Sequence, residues 1–152
     1  MSGDIRNATM ALERTIGAAL PAAGRPYVSV GRPGWSWRDL LGDRVNLCIV
    51  QSREDRGQTN DLLPSRPNTR AVSSTYLVTF YGKGVEDHLQ AIMAALIRRP
   101  YLGADDGATS TGLKACLQNP SLEDMAEIWG LFRRKYALSI IIEVKGTIVS
   151  AD

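Results

Sequence analysis

At 152 residues, 44% apolar and 22% charged, the chain has the composition of one globular domain spanning 1–152, long enough to bury a core without disulfides. A formal charge of +2 gives no electrostatic case for nucleic acid, and no apolar run reaches the roughly eighteen residues needed to cross a membrane. With one histidine and two cysteines that stand far apart, no zinc ribbon or C-x-x-C centre can be assembled, and no metal site is expected.

In chain order, Asp4 is placed to cap a first helix whose apolar stripe is Ile5, Ala8, Leu12, Ile16, Ala19 and Leu20, ended by Pro21. Asp4 and Glu13 interrupt its apolar pattern, which therefore does not read as a secretory leader; two free thiols and a cytoplasmic origin are expected. A short strand follows over 27–30. The connection 31–43 is rich in turn residues and holds Trp35 and Trp37, which are either loop anchors or a contact patch. A second strand over 44–51 places Val45, Leu47 and Ile49 on one face.

Residues 52–70 carry Gly57, Pro64 and Pro67 and few apolar side chains, and are expected to form a long functional loop. Between Arg25 and Arg70 there are eight arginines and no lysine. Arginine's planar fork suits bidentate capture of carboxylates across an interface, so Arg53, Arg56, Arg66 and Arg70 are candidate interface residues.

Tyr76, Val78 and Phe80 then alternate along a strand, and past Gly82 and Gly84 the residues Val85, Leu89, Ile92, Met93, Leu96 and Ile97 recur at helical spacing until Pro100. A glycine-punctuated strand-to-helix turn can cradle a phosphate, so a small nucleotide-binding enzyme using Gly82 and Gly84 is the alternative reading. Glu86 and Asp87 count against it, because Asp87 stands where the fingerprint has its third glycine and both carboxylates would repel an anion. His88 reads as a solvated helical histidine. No nucleophile-elbow G-x-S-x-G accompanies it, so no catalytic or cofactor-binding residues are assigned.

After a second connection over 101–111, residues 113–117 make a short strand. Ser121 and Asp124 open a helix with Leu122, Met125, Ile128, Trp129 and Phe132 on its apolar face, closed by Arg133, Arg134 and Lys135. Residues 137–150 form a last strand anchored by Ile140, Ile142, Val144 and Ile148, with Gly146 at a bulge. This order predicts an α+β fold: a mostly antiparallel or mixed sheet with helices packed on one face.

Taken together, VNLCIVQSREDRGQTNDLLPSRPN, YLVTFYG at 76–82, RRPYL at 98–102 and SLEDMAEIW at 121–129 resemble the cap, or tail-terminator, proteins of phage-tail-like contractile injection systems. The resemblance covers most of 44–149. It implies a non-enzymatic ring, typically a hexamer, with inner tube and sheath proteins as partners, no cofactor, cytoplasmic assembly and residence in a particle that can be released. Many such proteins continue into a further C-terminal region, whereas this chain ends at Asp152. Under that reading Arg53, Arg56, Arg66, Arg70, Trp35 and Trp37 are the expected contact residues, and the last strand, with Ile140 and Ile142, offers a sheet edge for strand addition. An RNA-contacting module built on the arginines is a third reading, and it predicts affinity falling steeply with salt.

Overall fold

Two-residue and helical periods alternate along the chain, and each becomes an element of one sheet-and-helix unit. The computed structural model describes residues 5–22, 24–102 and 112–151. In order, its elements are α1 (Ile5–Ala19), β1 (Tyr27–Val30), β2 (Arg44–Glu54), α2 (Arg56–Leu62), β3 (Thr69–Tyr81), α3 (Val85–Arg98), β4 (Lys114–Leu117), α4 (Leu122–Phe132) and β5 (Ser139–Ser150). The strands form a mixed sheet in the order β1-β2-β3-β5-β4, in which only β1 and β2 run parallel. The fold is α+β, as the element order predicts.

Side-chain alternation divides the core between the two sheet faces. Tyr76, Val78 and Phe80 of β3, Ile142 and Val144 of β5, and Val45 and Leu47 of β2 pack against Ala8, Leu12 and Ile16 of α1 and Ile92 and Leu96 of α3. The buried Tyr76 hydroxyl meets Thr9 Oγ1 at 2.7 Å, tying α1 to the central strand. Leu77 and Ile141, one residue out of phase, face the other way and are covered by Met125 and Trp129 of α4. Helices therefore lie on both faces, not on one as expected. The reason is that the out-of-phase positions at the centre of β3 and β5 are also apolar.

The expected long loop at 52–70 is largely regular structure. β2 runs on to Glu54 and β3 begins at Thr69, with α2 between them. Asp55 caps α2 by accepting the Gln58 N–H, and the buried Thr59 hydroxyl accepts the Ala71 N–H at 2.8 Å. A seven-residue helix that buries a threonine leaves no apolar period to read. Elsewhere Ile97 and Leu122 are exposed rather than part of their helices' buried stripes, and the predicted cap Asp4 and most of the second connection lie outside the described residues.

Gly146 is a bulge, as expected. Lys145 and Gly146 together oppose Ser73, and Gly146 takes φ +104. At α4, Ser121 Oγ accepts the Asp124 N–H while the Asp124 carboxylate accepts the Ser121 N–H, a reciprocal cap. Ser121→Ala is expected to lower stability by about 1 kcal/mol, read as a shift in urea midpoint. An unchanged midpoint would mean that the cap adds nothing to the seating of Trp129.

Candidate interaction surface

The connection between β1 and β2 is held by a dense set of polar contacts. Arg44, the first residue of β2, is buried and points to the α4 side of the sheet. Its Nε donates to Asp39 Oδ1 at 2.8 Å, and its Nη2 donates to Asp39 Oδ2 at 3.2 Å and to the Gly34 carbonyl at 2.6 Å. Its Nη1 reaches Ser29 Oγ at 3.1 Å, and the guanidinium lies 4.5 Å over the Tyr81 ring. The Tyr81 hydroxyl in turn accepts the Gly34 N–H, and Asn46 Nδ2 donates to the Gly31 carbonyl. The segment 31–43 is thus fastened across the face of β1 and β2 by side chains that the sheet itself positions.

Asp39 also accepts the Ser36 N–H, closing a 3₁₀ turn over Trp37–Leu40. With both ends held, the turn leaves Trp35, Trp37, Leu40 and Leu41 more than 60% exposed. Trp37 lines a groove of about 450 Å³ with Arg25, Tyr27, Arg38 and Leu41, beside the edge strand β1. Arg38 sits 5.8 Å from both the Tyr27 and the Trp37 ring centres. Trp35 does not line this groove.

The glycine turn expected to offer a phosphate cradle already holds an anion of its own. Asp43 accepts the N–H groups of Lys83 and Gly84 at 2.9 and 3.0 Å and the His88 Nε2–H at 2.8 Å. His88 is buried, correcting its expected solvation. It lies on the same helical line as Ile92 and Leu96, a signal present in the sequence. The nucleotide alternative loses its site, because the helix N-terminus is occupied by the Asp43 carboxylate. Among the described residues no group of three metal-ligating side chains converges, and no helix is long and apolar enough to cross a membrane.

Burial alone would raise the carboxyls of Asp43 and Asp39. His88 and the turn amides more than offset this for Asp43, as Arg44 and the Ser36 amide do for Asp39, and both end below the ordinary carboxylate range. A depressed folded-state pKa contributes stability that is present above the unfolded value and lost as pH falls through the folded one. The urea midpoint is therefore expected to hold near neutrality and to decline as pH drops below about 5. Asp43→Asn should lessen that decline; an identical acid slope in the variant would show that Asp43 carries none of it.

The arginines fall elsewhere. Arg53 is about 30 Å along β2 from Arg44, at roughly 3.3 Å per residue. It lies 3.8 Å from the buried Glu143, and Arg70 lies 3.6 Å from Glu54. Arg56 and Arg66 are exposed, with no ion pair among the described residues. Arg53 thus lies at the far end of β2 from the tryptophan turn. The expected free edge on β5 is narrowed: β4 pairs with it over Ile142–Lys145 only, and among the described residues Thr147–Ile148–Val149 have a strand partner in β3 alone, while Ile142 is fully buried and Ile140 packs against the core. Strand order depends on pairing between distant segments, which periodicity does not encode.

The fold is similar to two solved structures. One is the PVC sheath/tube terminator in the extended state of an extracellular contractile injection system, with TM-score 0.69 and 16% identity, covering 100% of this chain and 58% of that one. The other is the anti-feeding prophage cap, the AFP tube terminating cap, with TM-score 0.66 and 14% identity, covering 99% of this chain and 56% of that one. This chain thus spans little more than half the length of either. No curated protein gives a significant match. The sequence profile of the Pvc16 N-terminal domain matches residues 7–152, nearly the whole chain, and the protein belongs to that family.

Proposed function

We propose that this protein is a structural cap of a contractile injection particle, a six-membered ring that closes the end of the inner tube and sheath and stops their polymerisation. The family match over 7–152 carries this reading, and the likeness to a sheath/tube terminator and a tube-terminating cap supports it. Stopping a polymer requires one surface that fits its growing end and another that does not repeat that end; a closed ring meets both needs through symmetry. The role involves no reaction chemistry. Assembly takes place in the cytoplasm, and the cap leaves with the particle.

In this reading the arginine surface at Arg53, Arg56, Arg66 and Arg70 grips acidic groups of tube or sheath. Arg56 and Arg66 are the freest to do so, since Arg53 and Arg70 each have an acidic neighbour within the chain. Cryo-EM of particle ends is expected to resolve a hexameric ring of this chain, and particles made without it should lose their uniform length. Reversing the four arginine charges is expected to leave the fold intact and to reduce end occupancy severalfold. Monomers only, even with tube and sheath supplied, would refute the cap.

A further inference from the structure

Two exposed surfaces of this chain are complementary in charge. The first is the groove beside β1. Of the acidic groups near it, Asp43 is committed to the Lys83 and Gly84 amides and His88, Asp39 is committed to Arg44, and Glu13 lines the adjoining hollow with Arg25 and Tyr27 without forming an ion pair to Arg25. Arg25 and Arg38 remain without a carboxylate among the described residues, flanked by the exposed apolar side chains of Tyr27, Trp37 and Leu41.

The second is the outer side of α4. Glu123, Glu127 and Leu131 follow one another at four-residue steps, and Leu122, Ala126 and Gly130 form the adjacent row. Leu122 is 87% and Leu131 82% exposed. Neither Glu123 nor Glu127 has an ion pair among the described residues, and a Cβ placed on Gly130 would touch nothing within 4 Å. At nine residues' spacing Leu122 and Leu131 lie on opposite flanks of the helix, with the Glu123 and Glu127 carboxylates and the small side chains of Ala126 and Gly130 on the outer side between them.

We propose that these surfaces bind one another between copies, the basic aromatic groove beside β1 of one chain receiving the acidic ridge of α4 of the next. This rests on the ring reading above and names the two faces that build it. Because the faces differ, the contact is head-to-tail, the type that closes into a ring when the rotation permits. Aromatic and arginine side chains on one face against leucines and carboxylates on the other give an apolar centre with charges that fix the register.

The test uses two variants of the full chain, Arg25→Glu/Arg38→Glu and Glu123→Lys/Glu127→Lys, with native mass spectrometry and mass photometry as readouts and circular dichroism as the folding check. Each variant alone then carries like charges on both faces, and self-association is expected to weaken at least tenfold. An equimolar mixture makes each contact complementary again, so rings should return with the two variants in equal numbers. Raising salt should weaken the wild-type contact. Arg25→Ala/Arg38→Ala is the milder groove variant should the reversal disturb the fold, and it should also weaken association.

Rings that form normally from either folded variant, or a mixture that fails to restore them, would overturn the contact while leaving the ring intact as a reading. Loss of docking to tube or sheath with rings preserved would likewise overturn it, assigning the groove to a different partner. A wild-type chain that never assembles, alone or on purified tube and sheath, would overturn the ring and the contact together.

Discussion

Arg44→Met is expected to lower the free energy of unfolding by about 3–5 kcal/mol, the cost of removing one partner from a buried ion pair and leaving the other uncompensated. Asp39 keeps only its Ser36 amide, and the Gly34 carbonyl loses a 2.6 Å hydrogen bond. The loss extends beyond one pair, because the same guanidinium packs on Tyr81 and reaches Ser29. Urea unfolding followed by tryptophan fluorescence reports both consequences: Trp35 and Trp37 flank the released turn, so a change in the native baseline should accompany the lower midpoint. Pairing Arg44→Met with Asp39→Leu should recover part of the loss, since no buried charge is then left alone. A cost below about 1 kcal/mol would mean that Asp39 is adequately solvated without Arg44.

Gly82→Ala is the second large effect, expected at about 3 kcal/mol or more. Gly82 takes φ +119, where an L side chain is strained, and a Cβ there would lie 2.0 Å from Asp43 Oδ1 and 2.8 Å from Asp43 Cα. Backbone strain of roughly 1–3 kcal/mol adds to an overpacking cost of similar size. Combining it with Asp43→Gly removes the carboxylate clash but not the approach to the Asp43 Cα or the strained φ, so recovery should be partial. Full recovery would place the whole effect on the side chain. A near-neutral Gly82→Ala would show that the turn can open without loss.

Legibility in the sequence tracked how local each feature is. The strand at Tyr76, the helix through Ile92 and the cap at Ser121 all follow from spacing within a few residues, and all stand where the spacing puts them. α2 was hidden because its buried residue is Thr59, and the outer halves of β2 and β3 because ladder hydrogen bonds continue where the apolar pattern stops. His88 was readable through its alignment with Ile92 and Leu96, yet the adjacent Glu86 and Asp87 gave it a solvated look. Arg44 and Asp39 are only five positions apart. Their pairing nevertheless depends on Tyr81 and Gly34 meeting across the sheet, which no local pattern records.

Residue type alone marks the tryptophans as contact candidates, whereas the groove around Trp37 depends on Arg25, Tyr27 and Arg38, contributed by the start of β1 and the turn. Composition alone marks the arginines, and the separation of Arg53 from the tryptophans follows from the length and direction of β2.

The double fastening of the tryptophan segment bears on the thermodynamics of docking. A free loop of this length would surrender much of its conformational freedom on meeting a partner, at about 1–2 kcal/mol per residue fixed. Here Asn46, Arg44 and Tyr81, bonded to Gly31 and Gly34 at the start of the segment, and Asp43 on the glycine corner at its end, impose that order during folding. Binding through Trp37 and Leu41 can therefore proceed with little further ordering, so more of the apolar contact is retained as affinity. Docking should then show a heat-capacity change that follows the apolar area covered, without the larger excess that accompanies folding on contact.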